Sequence, residues 1–208
     1  MSKGKYIVIE GLEGTGKGTQ VELLRKRIEK LGKEVLFVRE PGGTQIGEEI
    51  RKIVKSPDLD RVPETEILLF SAARVELART QVLPALEKGI NVVSDRSFLS
   101  TIVYQTYGHN RKDLLPMVEN VTKYALSGIH PDLIIILDID PQTGLERAKT
   151  KNAGIQDRFD DLAVPFHERV RKGYLEIAKK NKYPVIDASQ SISEVEKEIW
   201  KIISPIIG

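Results

Sequence analysis

The chain has 208 residues, 40% of them hydrophobic and 30% charged, enough for one domain that buries about 70% of its unfolded surface. Its 32 Lys and Arg nearly cancel 30 Asp and Glu, and a net charge of +2 argues against an extended nucleic acid as partner unless the basic residues cluster. The absence of cysteine excludes a disulfide framework, a thiolate metal site and a cysteine nucleophile, and it suits a cytoplasmic setting. Met1–Lys5 runs into a strand-like segment with no apolar signal region, and the longest aliphatic run, Leu133–Leu137, is too short to span a bilayer.

Short β-branched runs alternate with longer amphipathic stretches, the pattern of βαβ units around a parallel sheet. Five runs predict strands: Tyr6–Ile9, Val35–Val38, Asn91–Ser94, Leu133–Leu137 and Val185–Ile186. Helical patterns lie at about Lys17–Leu31, Ile46–Val54, Glu64–Lys88, Asp113–Leu126, Pro141–Lys149, Val164–Lys180 and Ser193–Ile203. Gly32 and Gly89 follow two of these as stops, Pro141 opens a third, and Ser193 with Glu196 predicts a capping box. Thr150–Asp161, a polar stretch containing Gly154, reads as a mobile loop. On the long 64–88 helix, a 100° wheel puts Leu68, Ala72, Val75, Val82 and Leu86 on a core stripe, with Phe70 and Arg74 opposite. Leu77 falls on that second side, which predicts burial against a second subunit.

Three segments carry chemistry. Gly11-Leu12-Glu13-Gly14-Thr15-Gly16-Lys17 connects the first strand to the first helix, a turn that aims backbone N–H groups and a helix N-terminus at a polyphosphate. Lys17 adds a charge for the β and γ phosphates, with Gly18 and Thr19 following where a P-loop usually carries a Mg²⁺-binding hydroxyl at the first position. After the second strand comes Arg39-Glu40-Pro41-Gly42-Gly43-Thr44, and after the third Asp95-Arg96-Ser97-Phe98-Leu99-Ser100-Thr101, then Tyr104-Gln105. Both segments lie at the strand ends that face the phosphate turn, so two arginine forks converge on a second phosphate. A GTPase switch fits poorly: no Asp-x-x-Gly occurs, and Asn181-Lys182 is followed by Tyr183-Pro184.

The Gly-Lys-Gly-Thr-Gln ending resembles adenylate kinases. The remaining motifs, with Phe70-Ser71-Ala72-Ala73-Arg74 and Asp157-Arg158-Phe159-Asp160, resemble thymidylate kinases over nearly the whole chain. The resemblance implies a three-layer P-loop kinase sandwich with a short lid at about 147–161, a homodimer through helix 64–88, and γ-phosphoryl transfer from ATP to dTMP with Mg²⁺. It implies that Phe70 stacks on thymine, Arg74 bonds its O4, Thr101 and Gln105 lie at the base site, and Tyr104 crowds the sugar. It also implies that Glu13 meets the 3′-hydroxyl and that Arg39 and Arg96 grip the dTMP phosphate. The phosphate loop carries no basic residue before Lys17, so the chain is similar to the subtype whose lid supplies the cation. Arg147 is then expected on adenine, with Arg158 and Lys151 near the transferring group. Asp95 is the expected Mg²⁺ organiser, through waters, or else only a brace for Arg96. Asp138 and Asp140 read as strand-end turn and cap residues, Asp187-Ala188-Ser189 as an adenine contact, and His109, His130 and His167 as uninvolved. Two other readings stay open: a different adenylate-kinase-like nucleotide kinase, and a nucleotide-dependent interaction module, which would act with ATP alone where a kinase waits for its acceptor.

Overall fold

The computed structural model describes residues 3–151 and 157–207. Gly154 of the predicted loop lies outside the described residues. Five parallel strands, β1 (Tyr6–Gly11), β2 (Val35–Arg39), β3 (Asn91–Asp95), β4 (Leu133–Asp138) and β5 (Val185–Asp187), form one sheet in the order β2-β3-β1-β4-β5. Each begins where the sequence predicts and runs one or two residues further. Alternation divides β1 between the two faces. Ile7 and Ile9 pack under α1 (Lys17–Lys30) and the C-terminal α9 (Ile192–Ile207), while Tyr6 and Val8 face the opposite layer. The strand order reverses beside β1, so the loops after β1 and β3 open into one crevice at the carboxyl edge.

The remaining helices are α2 (Gln45–Lys55), α3 (Pro63–Leu77), α4 (Leu83–Glu87), α5 (Phe98–Ile102), α6 (Leu115–Leu126), α7 (Pro141–Lys151) and α8 (Val164–Asn181). Gly32 and Gly89 stand at φ 66° and 80°, the left-handed stops their type predicts. The capping box of α9 sits two residues earlier than predicted: the Ser191 hydroxyl donates to Glu194 at 2.6 Å and the Glu194 N–H returns to it at 3.3 Å. Asp140 caps α7 as expected, accepting from the Thr143 N–H at 3.0 Å, while Asp138 accepts two bonds from Arg171 at 2.8 and 2.7 Å.

Two features differ from the sequence reading. The predicted 64–88 helix is α3 and α4 joined through a π-helical stretch, Ala78–Val82, and its predicted sidedness is reversed over α3. Leu68 is 53% exposed and Ala72 is exposed, whereas Glu66, Ile67, Ser71, Arg74 and Leu77 are buried. Leu77 therefore belongs to the core and is not a subunit contact. A π stretch breaks the helical phase, so one wheel cannot describe both halves, and Val82 at its end and Leu86 beyond it are buried as predicted. The second feature is a helix outside the predicted helical patterns: α5 continues through a π-helical stretch, Val103–Gly108. Its β-branched residues Thr101, Ile102, Val103 and Thr106 argue locally against a helix. The tertiary setting overrides them, because the buried Glu10 at the end of β1 accepts from the Ser97 N–H at 2.8 Å and from the Ser100 hydroxyl at 2.6 Å.

Candidate active site

A cleft of about 920 Å³ opens at the carboxyl edge of the sheet and runs from the turn after β1 to the inner side of α3. Its floor at one end is Glu13–Gln20, which enters α1 with Gly16 at φ 85°. Gly14 shows how tightly this turn is seated: at φ 70°, a Cβ on it would stand 1.9 Å from the Gly144 carbonyl oxygen of α7. Gly11 and Leu12, predicted among the phosphate contacts, do not line the cleft. Leu12 packs in the core, and the carbonyls of both hold Lys17. The Lys17 ammonium is folded back on its own loop, donating to Gly11 O at 2.9 Å, Leu12 O at 2.6 Å and the Thr15 hydroxyl at 3.2 Å. Burial, helped by the nearby Arg96 charge, pushes its pKa down to about 8.

Beside the loop, Asp95 lines the cleft, and its carboxylate accepts no hydrogen bond among the described residues. A Cβ on Gly18 would lie 3.7 Å from Asp95 Oδ2 and 3.9 Å from Lys151 Nζ, so the position without a hydroxyl is flanked by the predicted metal organiser and the predicted lid cation. No group of three or more His, Asp or Glu able to hold a metal occurs among the described residues. One free carboxylate beside a phosphate loop fits Mg²⁺, which keeps most of its waters and takes the rest of its ligands from phosphates. Arg147 and Lys151 of α7 line the same end, and Arg147 donates to Ala188 O at 2.9 Å, which brings the predicted adenine contacts together.

The middle of the cleft is a tight polar cluster. Arg96, held at φ 70°, donates to Glu13 at 2.7 Å and to the Ser100 hydroxyl at 2.9 Å, and the Tyr104 hydroxyl donates to the other Glu13 oxygen. Burial pushes Glu13 up, but Arg96, Lys17 and His167 outweigh it and hold the carboxyl below its usual range. His167, read from sequence as uninvolved, is buried 3.6 Å from Glu13, and burial lowers its pKa. Arg39 lines the same cleft from the end of β2, its Nη2 donating to both oxygens of Glu48 at 2.9 Å. Arg51 and Lys55 of α2 also line it and escaped the sequence reading, because on an amphipathic helix they look like ordinary surface charges.

At the far end stand Phe70, Arg74, Thr101 and Gln105. Arg74 is 2% exposed; its Nε donates to Glu40 at 2.7 Å and its Nη2 to the Thr101 hydroxyl at 2.9 Å, which leaves Nη1 buried without a partner. Gln105 donates through Nε2 to Glu66 at 3.0 Å, which leaves Oε1 buried without a partner. Phe159, also missed, lies over this end with its ring 6.1 Å from Phe70 and edge-on to Tyr104 at 5.7 Å. Arg158 is also directed elsewhere: it does not line the cleft and stands 3.5 Å from Glu66. The buried Glu66 carboxylate attracts it, whereas the cleft is already lined with cations.

A family model described as thymidylate kinase matches residues 9–199. The chain is 41% identical to the thymidylate kinase of Halothermothrix orenii over 199 residues, 95% of each chain. It is 40% identical to that of Deinococcus radiodurans over 206 residues, 98% of each, and 42% identical to that of Francisella tularensis over 204 residues, 97% of this chain and 96% of the relative.

Proposed function

The chain belongs to the thymidylate kinase family, and on that premise we propose that it transfers the γ-phosphoryl group of ATP to dTMP by in-line displacement. The observation that carries the choice of acceptor is the pair of unpartnered buried atoms at the far end of the cleft, a donor on Arg74 and an acceptor on Gln105. Thymine offers the complement, a carbonyl at position 4 and an N–H at position 3. Cytosine reverses both, so each protein atom would face its own kind. A coupled ADP-release assay across dTMP, dUMP, dCMP, AMP and GMP is expected to place dTMP first and dUMP next. An adenine or guanine acceptor in first place would overturn the reading.

The acceptor phosphate is already ionised near pH 7, so the reaction needs no general base and depends on aligning two anions and neutralising the charge between them. Arg96 and Arg39 are proposed to hold the dTMP phosphate, Glu13 the 3′-hydroxyl, Tyr104 the sugar and Phe70 the base face. Gly14, Thr15, Gly16, Lys17, Gly18 and Thr19 are proposed to cradle the ATP phosphates, Arg147 to cover adenine and Lys151 to approach the transferring group. Asp95 would hold Mg²⁺ through its waters, and the ion would neutralise charge on the bridging phosphates. Arg158 could join the transfer only by leaving Glu66.

Lys17 links ATP binding to pH. Phosphates restore its charge, so its pKa in the complex lies above the value of about 8 it has in the free protein. ATP affinity should therefore be complete below about pH 8 and decline as pH rises through the bound-state pKa. Calorimetry at pH 9 in two buffers of different ionisation heat should show net proton uptake with ATP; identical heats would contradict it.

A second copy of the chain is proposed to cover the exposed apolar side of α3, where Leu68 stands free, with Tyr124 of α6 68% exposed as well. Leu68→Glu should shift the sedimentation coefficient from dimer to monomer, and a parent that already sediments as a monomer would sink the idea. Among the described residues no helix is long and apolar enough to cross a membrane, and the absence of cysteine supports a cytoplasmic location.

A further inference from the structure

Glu66 lies on the first turn of α3 with 1% of its side chain exposed, and the chemistry proposed above does not use it. Three other segments face it. Gln105 Nε2 donates to Oε2 at 3.0 Å, and His109 Nε2 stands 3.5 Å from the same oxygen. Arg61, from the segment before α3, and Arg158, from the 3₁₀ turn Arg158–Asp161, approach Oε1 at 3.2 and 3.5 Å. Burial pushes the Glu66 carboxyl up, but the nearby His109, the hydrogen bond from Gln105 and the Arg158 charge outweigh it and hold the group below its usual range.

Two features give this node more than a structural role. The first concerns Gln105, an amide whose oxygen and nitrogen have nearly the same shape, so that only its partners decide which way it faces. Glu66 accepts from the nitrogen and thereby leaves the oxygen as the acceptor that an imide N–H requires. The second is the opposite oxygen, which faces Arg158, the neighbour of Phe159. That ring packs on Phe70 and Tyr104 at the base end of the cleft. One carboxylate thus touches the amide that reads the base and the turn that covers it.

We propose that Glu66 is a positioning residue for acceptor selection: it sets the orientation of the Gln105 amide and, through Arg158, couples base recognition to the seating of the Arg158–Asp161 turn. The inference rests on the reading of dTMP as acceptor. Coupling of this kind is reciprocal, so a base that engages Gln105 must also stabilise the turn.

Glu66→Gln keeps the shape, removes the charge that attracts Arg158, and offers Gln105 a donor as well as an acceptor, so that the Gln105 amide can rotate. The expected result is a KM for dTMP raised about 10-fold with kcat changed less than about 3-fold, and a dTMP-to-dCMP ratio of kcat/KM lowered about 10-fold. In the parent, dTMP alone should slow hydrogen exchange across residues 157–162, and in Glu66→Gln it should not. As a second variant, which removes the Glu66 contact from its less buried side, Arg158→Ala should weaken dTMP binding measured without ATP by about 5-fold. An unchanged acceptor ratio in Glu66→Gln overturns the proposal, as does dTMP affinity within about 2-fold of the parent in Arg158→Ala; if Glu66→Gln does not fold, Arg158→Ala decides. A parent with no preference for dTMP over dCMP would remove the acceptor reading first, and the inference with it.

Discussion

Arg96→Ala is expected to lower kcat/KM for dTMP by about 10³-fold, because it removes the fork proposed to hold the phosphate that must approach the γ-phosphoryl group. The same substitution leaves Glu13 without its 2.7 Å partner, so lost activity could be confused with lost structure. The backbone supplies the control. Arg96 sits at φ 70°, where a side chain is strained and glycine is not. Arg96→Gly should therefore show the same catalytic loss with about 1 kcal/mol more stability than Arg96→Ala, read from urea midpoints at equal m-values. If activity followed stability across the pair, the fork would be a structural brace and not a phosphate ligand.

The sheet and the phosphate turn were legible because their signals are local. A run such as Leu133–Leu137 is short and apolar throughout, which suits a strand buried on both faces, and the glycines after β1 occupy positions that demand left-handed backbone. The inner face of α3 was not legible. Hydropathy places Leu68 and Ala72 inside, yet this helix buries Glu66 and Arg74 because their partners, Glu40, Thr101 and Gln105, arrive from segments 25 to 40 residues away in sequence. The Phe70–Arg74 spacing pairs two residues that both line one end of the cleft, while the wheel puts them on the wrong side of the helix. The Phe98–Gly108 helix was hidden for a related reason, since its start depends on Glu10 and not on its own propensities. Arg158 shows the limit of carrying a role over by motif: its position in the chain suggests the phosphates, but in the folded molecule it stands 3.5 Å from the buried Glu66.

Arg74→Met should collapse acceptor selection. A site built to bond a substrate group rejects an analogue that lacks it by about 10⁴-fold, because buried polar atoms are then left unpaired. With Nη1 gone, the dTMP-to-dCMP ratio of kcat/KM is expected to fall at least 100-fold, mostly through loss of dTMP and not gain of dCMP. ATP affinity, set by the loop at the other end of the cleft, should stay within about 2-fold. The variant also strands Glu40, whose carboxyl is already raised by burial and is held in check by Arg74. Without the arginine the folded-state pKa of Glu40 climbs further above its unfolded value. The variant is then least destabilised below the unfolded pKa and loses stability as pH rises through the folded one; above it the deficit is about 3 kcal/mol or more. Glu40→Gln in the same chain removes that charge, keeps an acceptor for the Ser97 hydroxyl that now donates to Glu40 at 3.2 Å, and should flatten the pH dependence. Selectivity that stays collapsed in the stabilised double variant assigns the reading of position 4 to the guanidinium. Selectivity that returns with stability would show that Arg74 only holds the wall of the site.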